Sequence, residues 1–105
     1  AAATYARAYL LTHPHAWQLR YVLASVELAL TRTDEAKQEL RHVVEDAPDH
    51  AEAYYLLATL APDARAPSAA TRELYDHYLA LAPNGPHAYE ARSFLRMQPE
   101  PEAQR

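Results

Sequence analysis

Six histidines, a single glycine and no cysteine set the limits of the chemistry open to this 105-residue chain. Cysteine nucleophiles are absent outright. With Gly85 as the only glycine, there is no glycine-rich loop to cradle a phosphate, no dinucleotide fingerprint and no strained nucleophile elbow, because each needs several positions without a Cβ. His13 and His15 flank Pro14, and His50 and His87 follow Pro48 and Pro83. If those prolines mark equivalent bends of stacked helices, the histidines stand about 10 Å or more apart, too far to share a metal. Glu39 and His42 form one E-x-x-H pair on a helix; carboxylate-bridged metal bundles need two such pairs and further glutamates, so this one reads as a solvated face. No Ser, His and Asp grouping sits in a recognisable scaffold motif. The expectation is a non-enzyme with no cofactor and no metal.

Charge and hydropathy narrow the partners. Ten Lys+Arg against fourteen Asp+Glu leave a net charge of −4, and the basic residues are scattered singly, so no footprint for a phosphate backbone exists and nucleic acid is not expected. No apolar run approaches the roughly 20 residues that span a bilayer, so membrane insertion of this chain is not expected, and no basic segment leads into an apolar stretch as in a signal peptide. The start, Ala1-Ala2-Ala3 without Met, is expected of a processed form or a piece of something longer. The alanine- and arginine-rich, lysine-poor usage resembles that of high-GC bacteria. The lack of cysteine fits any compartment.

These side chains must be positioned by helices. One glycine cannot supply the corners of many hairpins, and alanine favours helix over strand. Pro14, Pro48 and Pro83 lie 34 and 35 residues apart, each between runs of helix formers. Ala53-Tyr54 and Ala88-Tyr89 recur at the same distance behind the second and third prolines, and Ala16-Trp17 lies one helical turn earlier behind the first. The punctuation predicts about six antiparallel helices. The first covers 2–12. The second, 15–30, carries two apolar stripes: Trp17, Tyr21, Ala24 and Leu28 on one, and Leu19, Val22, Leu23, Val26 and Leu30 on the other. Thr33 is read as the N-cap of the third, which turns Ala36, Leu40, Val43, Val44 and Ala47 inward. Asp49 and Glu52, in capping-box spacing, open the fourth, which buries Tyr54, Leu57, Ala58 and Ala61 before Pro62. After a loop over 62–67, Ser68 caps the fifth, whose apolar set is Leu74, Tyr75, Tyr78, Leu79, Leu81 and Ala82. The sixth begins with Pro86 in its first turn, presents Ala88, Ala91 and Leu95 on one face, and ends near Met97. A disordered tail over 98–105 is expected from its prolines and charge.

The segment Leu23-Ala24, Asp34-Glu35-Ala36, Leu40, Val43, Asp46-Ala47-Pro48, Ala51-Glu52-Ala53-Tyr54 and Leu57-Ala58 resembles the tetratricopeptide repeat, a 34-residue helix pair. Ala24, Ala36 and Ala58 fall where that family uses Gly or Ala for close helix approach. The resemblance implies an all-α, right-handed solenoid of helix hairpins over 1–97: a half-repeat (2–14), a repeat (15–48), a repeat with an altered middle (49–83) and a capping helix (84–97). It departs from the family at Arg20 (usually aromatic), Glu27 (usually Tyr), Thr31 (usually the turn Gly) and Tyr78 (usually small). An irregular antiparallel bundle is the alternative architecture.

The resemblance further implies that the first helix of each pair lines a concave face holding an extended peptide or a partner helix. Carried over by position, that face comprises Gln18, Tyr21, Val22 and Ser25, then Glu52, Tyr55, Leu56 and Thr59, then His87, Glu90, Ala91 and Phe94. Tyr21 and Tyr55 are the expected anchors, with neighbour-helix packing the competing role for both rings. A subset of the family grips a terminal carboxylate with Lys and Asn; here only Lys37, on a second helix, and Asn84, in a turn, are present, so that mode is not expected. The implied function is a protein-interaction scaffold. The alternative is a structural segment of a longer array, with one flank of the first helix, including Tyr5 or Tyr9, exposed unless upstream residues or a second copy cover it.

Overall fold

Three proline turns organise the chain, and each turn is locked the same way. The computed structural model describes residues 2–61 and 68–96. Within them run six helices: α1 (Ala2–Thr12), α2 (Trp17–Ala29), α3 (Thr33–Asp46), α4 (Ala51–Thr59), α5 (Ala69–Leu81) and α6 (Ala88–Leu95). No strand occurs among the described residues. At the α1/α2 turn the Arg20 guanidinium donates from Nε to the Pro14 carbonyl at 3.1 Å. At the α3/α4 turn the Tyr54 hydroxyl donates to the Pro48 carbonyl at 3.0 Å, and at the α5/α6 turn Arg92 donates to the Pro83 carbonyl at 3.0 Å. A carbonyl stranded where a proline ends a helix thus finds a side-chain donor on the next helix each time. Arg20 and Tyr54 occupy equivalent positions; at the third turn the equivalent Tyr89 is exposed, and Arg92 takes over.

The turn between α2 and α3 works without proline. The Arg32 N–H donates to the Glu27 carbonyl at 2.7 Å and the Thr31 N–H to the Leu28 carbonyl at 3.0 Å, the two bonds of a Schellman motif. The motif requires a left-handed residue after the C-cap, and Thr31 supplies it at φ 58°.

The closest backbone packing is between chain neighbours, with side chains also linking α2 to α4 and α4 to α6, and the core is accordingly serial. Ala6, Leu10 and Leu23 join α1 to α2. Ala24, Ala36, Leu40, Val43, Ala53 and Leu57 join α2, α3 and α4. Tyr54, Tyr55, Ala58, Tyr75, Tyr78, Ala88 and Ala91 join α4, α5 and α6. An irregular bundle would gather its helices around one centre; here apolar burial passes from each hairpin to the next. Ala24, Ala36 and Ala58, all buried, are the points of close approach expected of them.

Several local expectations are corrected. Arg32, not Thr33, is the N-cap residue of α3, because the Schellman turn feeds the chain into the helix one residue sooner, and no side chain caps it. His50, not Asp49, caps α4: its Nδ1 accepts from the Ala53 N–H at 3.2 Å, since His50 has the extended backbone that aims a side chain back at the first turn. Ser68 does cap α5, accepting from the Thr71 N–H at 3.2 Å. α2 begins at Trp17 rather than at 15. Pro86 lies in the turn before α6, because the Tyr78 hydroxyl accepts the His87 N–H at 2.9 Å and the Gly85 carbonyl accepts that of Ala88, delaying the helix to Ala88. Val22, Leu30 and Leu81 face solvent although they belong to apolar stripes, because no helix among the described residues covers their side. The 62–67 loop, the 98–105 tail and Met97 lie outside the described residues.

One buried charge lies inside the stack. Glu27 is almost wholly buried, and its Oε2 accepts from Arg7 of α1 at 3.0 Å. The pair crosses from α1 to α2 where the family usually places a tyrosine; removal of Arg7 would leave a buried carboxylate without its cation.

Candidate functional site

The first helices of the hairpins, α2, α4 and α6, share an outward side. On α2, Gln18, Val22 and Ser25 recur at helical spacing and are all exposed. Their neighbour Tyr21 is half-buried, its ring tilted against His50 at 4.7 Å, and Trp17 meets the same imidazole edge-on at 5.2 Å. His50 therefore caps α4 and wedges α2 against it. The Ser25 hydroxyl donates to the Tyr21 carbonyl at 3.1 Å and the Thr59 hydroxyl to that of Leu56 at 2.9 Å, so each satisfies its own helix.

Between α4 and α6 the side chains form a chain of direct contacts. The Tyr55 ring stacks on His87 at 3.8 Å and 9° between planes, and its hydroxyl donates to Glu90 Oε2 at 2.6 Å. His87 Nε2 lies 3.0 Å from Glu52 Oε2. The sequence reading brought Glu52, Tyr55, His87 and Glu90 to one face, and the structure brings them into contact. Burial pushes the pKa of Tyr55 well above that of an ordinary tyrosine, and the hydrogen bond to Glu90 with the nearby negative charges raises it further. Tyr21 is shifted in the same direction, by burial and then by the Glu52 carboxylate.

Not every assigned position is available to a partner. Tyr55 is 9% exposed and packs edge-on to Tyr75, so it orients Glu90 and His87 rather than offering a ring. Ala91 is fully buried. Phe94 is partly buried against Tyr75 at 4.4 Å, and Leu56 is half-buried. Sequence reasoning missed the proline-carbonyl donors and the Arg7–Glu27 pair. The donors had a legible signal, since Arg20 and Tyr54 stand at the same offset from their prolines; the ion pair had none.

The side chains left open on this side are thus carboxylates, an amide, hydroxyls and apolar groups, with the part-buried imidazole of His87 between Glu52 and Tyr55, on a serial helix stack. The fold is that of a helical-hairpin repeat protein. The family model for the tetratricopeptide repeat matches residues 1–60, more than half of the chain, and the protein belongs to that family. No curated protein matches it. Repeats of this family generally mediate protein–protein interaction and are typically non-enzymatic modules. None of the helices among the described residues is long and apolar enough to cross a membrane.

Proposed function

We propose that the chain is a non-catalytic scaffold that binds an extended peptide or a partner helix along the outward side of α2, α4 and α6, and that the favoured partner carries Arg or Lys among apolar residues. One observation carries this reading. The accessible positions on that side offer the carboxylates of Glu52 and Glu90 beside Val22, Leu56 and the half-buried Tyr21, with no Lys or Arg among them; His87 meets Glu52 and the Tyr55 hydroxyl meets Glu90 at one carboxylate oxygen each. The arginines nearest in sequence are engaged elsewhere: Arg20 with Glu39 at 2.8 Å and Arg92 with the Pro83 carbonyl. A cationic side chain would meet two carboxylates and the face of a tyrosine ring, both attractive.

The test is selection of peptides from a random display library, followed by affinity measurement at two salt concentrations. Enriched sequences are expected to contain Arg or Lys next to apolar residues, and their binding to weaken at higher salt. The variant Val22→Arg/Glu90→Arg, at exposed positions, is expected to keep its far-UV spectrum and to lose about tenfold or more in affinity, the equivalent of about 1.4 kcal/mol. Enrichment of acidic peptides, or undiminished binding by the variant, would reject this reading.

A further inference from the structure

Two imidazoles wedge the first helices apart, and their nitrogens meet different neighbours. His50, the residue before α4, leans back on Tyr21 of α2, and His87, the residue before α6, leans back on Tyr55 of α4. His50 accepts the Ala53 N–H at Nδ1, so its ring is tied to its own helix. His87 leaves Nδ1 buried with no partner and places Nε2 3.0 Å from Glu52 Oε2. Three residues before the tyrosine, where α2 has Gln18, α4 has this carboxylate. The Glu52 and His87 side chains keep 35% and 27% of their surface in solvent, so the pair is within reach of a bound segment.

The titratable groups that face His87 are Glu52 and Tyr55 on α4, Tyr78 on α5 and Glu90 on α6. Tyr55 stacks on the imidazole and gives its hydroxyl hydrogen to Glu90, while the Tyr78 ring lies 6.0 Å away and its hydroxyl accepts the His87 backbone N–H. Among the described residues no Lys or Arg bonds to any of these groups, and Arg92 is directed to the Pro83 carbonyl. With a neutral ring whose hydrogen is on Nε2, His87 donates one hydrogen bond and the pair with Glu52 carries a full negative charge. The next proton goes to Nδ1. The pair then has no net charge, and the Glu52 carboxylate is held by a cation of the chain itself.

We infer that His87 is a proton-operated switch on the partner-binding face: neutral, it leaves the Glu52 charge to the Arg or Lys of a bound segment, and protonated, it takes that charge for itself and loosens the segment. The inference rests on the binding of a cationic partner proposed above and supplies its regulation. Imidazole is the side chain whose charge changes between about pH 5 and 8, so mild acidification is the signal. Glu90 is not switched in this way. Its contact is the Tyr55 hydroxyl, which burial and the Glu90 bond keep neutral over that range, so one of the two carboxylates keeps its charge and release is graded.

The test uses the full chain and a rhodamine-labelled peptide of alternating Arg and Leu, with affinity read by fluorescence anisotropy at about pH 7.5 and about pH 5.5, above the range where carboxylates titrate. All six histidines charge in this interval, so part of any loss of affinity is general. The share of His87 is the difference between wild type and His87→Gln, whose amide still offers Glu52 a donor but takes no proton. The wild type is expected to lose about fivefold more affinity than His87→Gln on acidification, the upper range for a solvent-contacting ion pair. A second measurement needs no variant. Binding and protonation are linked reciprocally, so NMR of the wild-type His87 ring is expected to show it charging at lower pH with the peptide bound than without. Equal losses in wild type and His87→Gln, or a His87 ring that charges at the same pH with and without peptide, overturn the switch and leave the binding reading standing. A peptide that does not bind at about pH 7.5 overturns the binding reading and the switch together.

Discussion

Replacing Thr31 by glycine is expected to stabilise the protein, against the usual direction of a glycine substitution. Thr31 sits at φ 58° because the Schellman bonds from its own N–H and that of Arg32 leave the chain no other way out of α2. An L-residue in this left-handed region costs about 1–2 kcal/mol, at the upper end for a β-branched side chain. Glycine removes that strain but has more freedom to lose on folding, about 0.5–1 kcal/mol. The Thr31 hydroxyl donates to the Leu30 carbonyl at 2.6 Å on the exposed surface, where water replaces it at little loss. The balance is a gain of about 0.5–1 kcal/mol, or roughly 2–8 °C in Tm for a domain of this size. Thermal and urea melts followed at 222 nm measure it, with an unchanged urea m-value showing that the effect is on stability rather than compactness. Thr31→Asn, which tolerates the left-handed region, should fall between wild type and glycine, and Thr31→Val should be no better than wild type. A glycine variant less stable than wild type, or a valine variant that gains as much, would refute the reasoning, because either would mean that the backbone at 31 is not strained.

The hairpin architecture was legible because its signals are local. Each of the three prolines ends a helix, and a helix that ends there must turn back to bury its apolar side, so their spacing sets the hairpins. Ala24, Ala36 and Ala58 were readable as close approaches through the resemblance to the repeat, whose pattern keeps small residues at those positions. Capping was legible at Ser68, where the side chain is the only candidate, but not at the start of α4. There Asp49 and His50 both bear acceptors, and one residue of backbone geometry decides between them.

The site was less legible, for a geometric reason. A pattern carried over by position assigns an angle around a helix, and α4 is packed on more than one side. Tyr55 and Ala91 lie at angles that a neighbouring helix covers, whereas Val22 lies at one that no helix among the described residues covers. Which angles are covered depends on the tilt between hairpins, and no single position records that tilt. The exposure of Tyr89 has the same origin. The pattern that buries Tyr54 is present, but among the described residues no helix stands beyond α6 to receive the ring. The contact between Arg7 and Glu27 spans 20 residues and two helices, and neither residue type at its position announces the other.

Two further predictions test the packing around α6. A Cβ at Gly85 would lie 2.5 Å from the Tyr78 hydroxyl and 2.9 Å from the Ala82 Cβ, and Tyr78 is 1% exposed with its hydroxyl holding the His87 N–H, so Gly85→Ala should cost about 1–3 kcal/mol in urea melts. Adding Tyr78→Phe, which deletes the clashing oxygen, should recover part of that loss; a neutral Gly85→Ala would show that the turn moves aside. The last concerns Tyr55, whose pKa in the folded chain lies above the ordinary value of 10.0. The unfolded chain then releases this proton first as pH rises, so the folded state binds more protons above about pH 10 and loses up to about 1.4 kcal/mol per pH unit from this group. Tyr55→Phe has no such proton. At neutral pH it should be less stable by about 1 kcal/mol, through loss of the bond to Glu90. Between about pH 10 and 11 the gap should close and then reverse, since only the wild type carries the alkaline penalty. A gap that stays constant through this range would mean that Tyr55 ionises in the folded chain as readily as in the unfolded one, and the tight stack of Tyr55, His87 and Glu90 would have to be looser than its 2.6 Å bond implies.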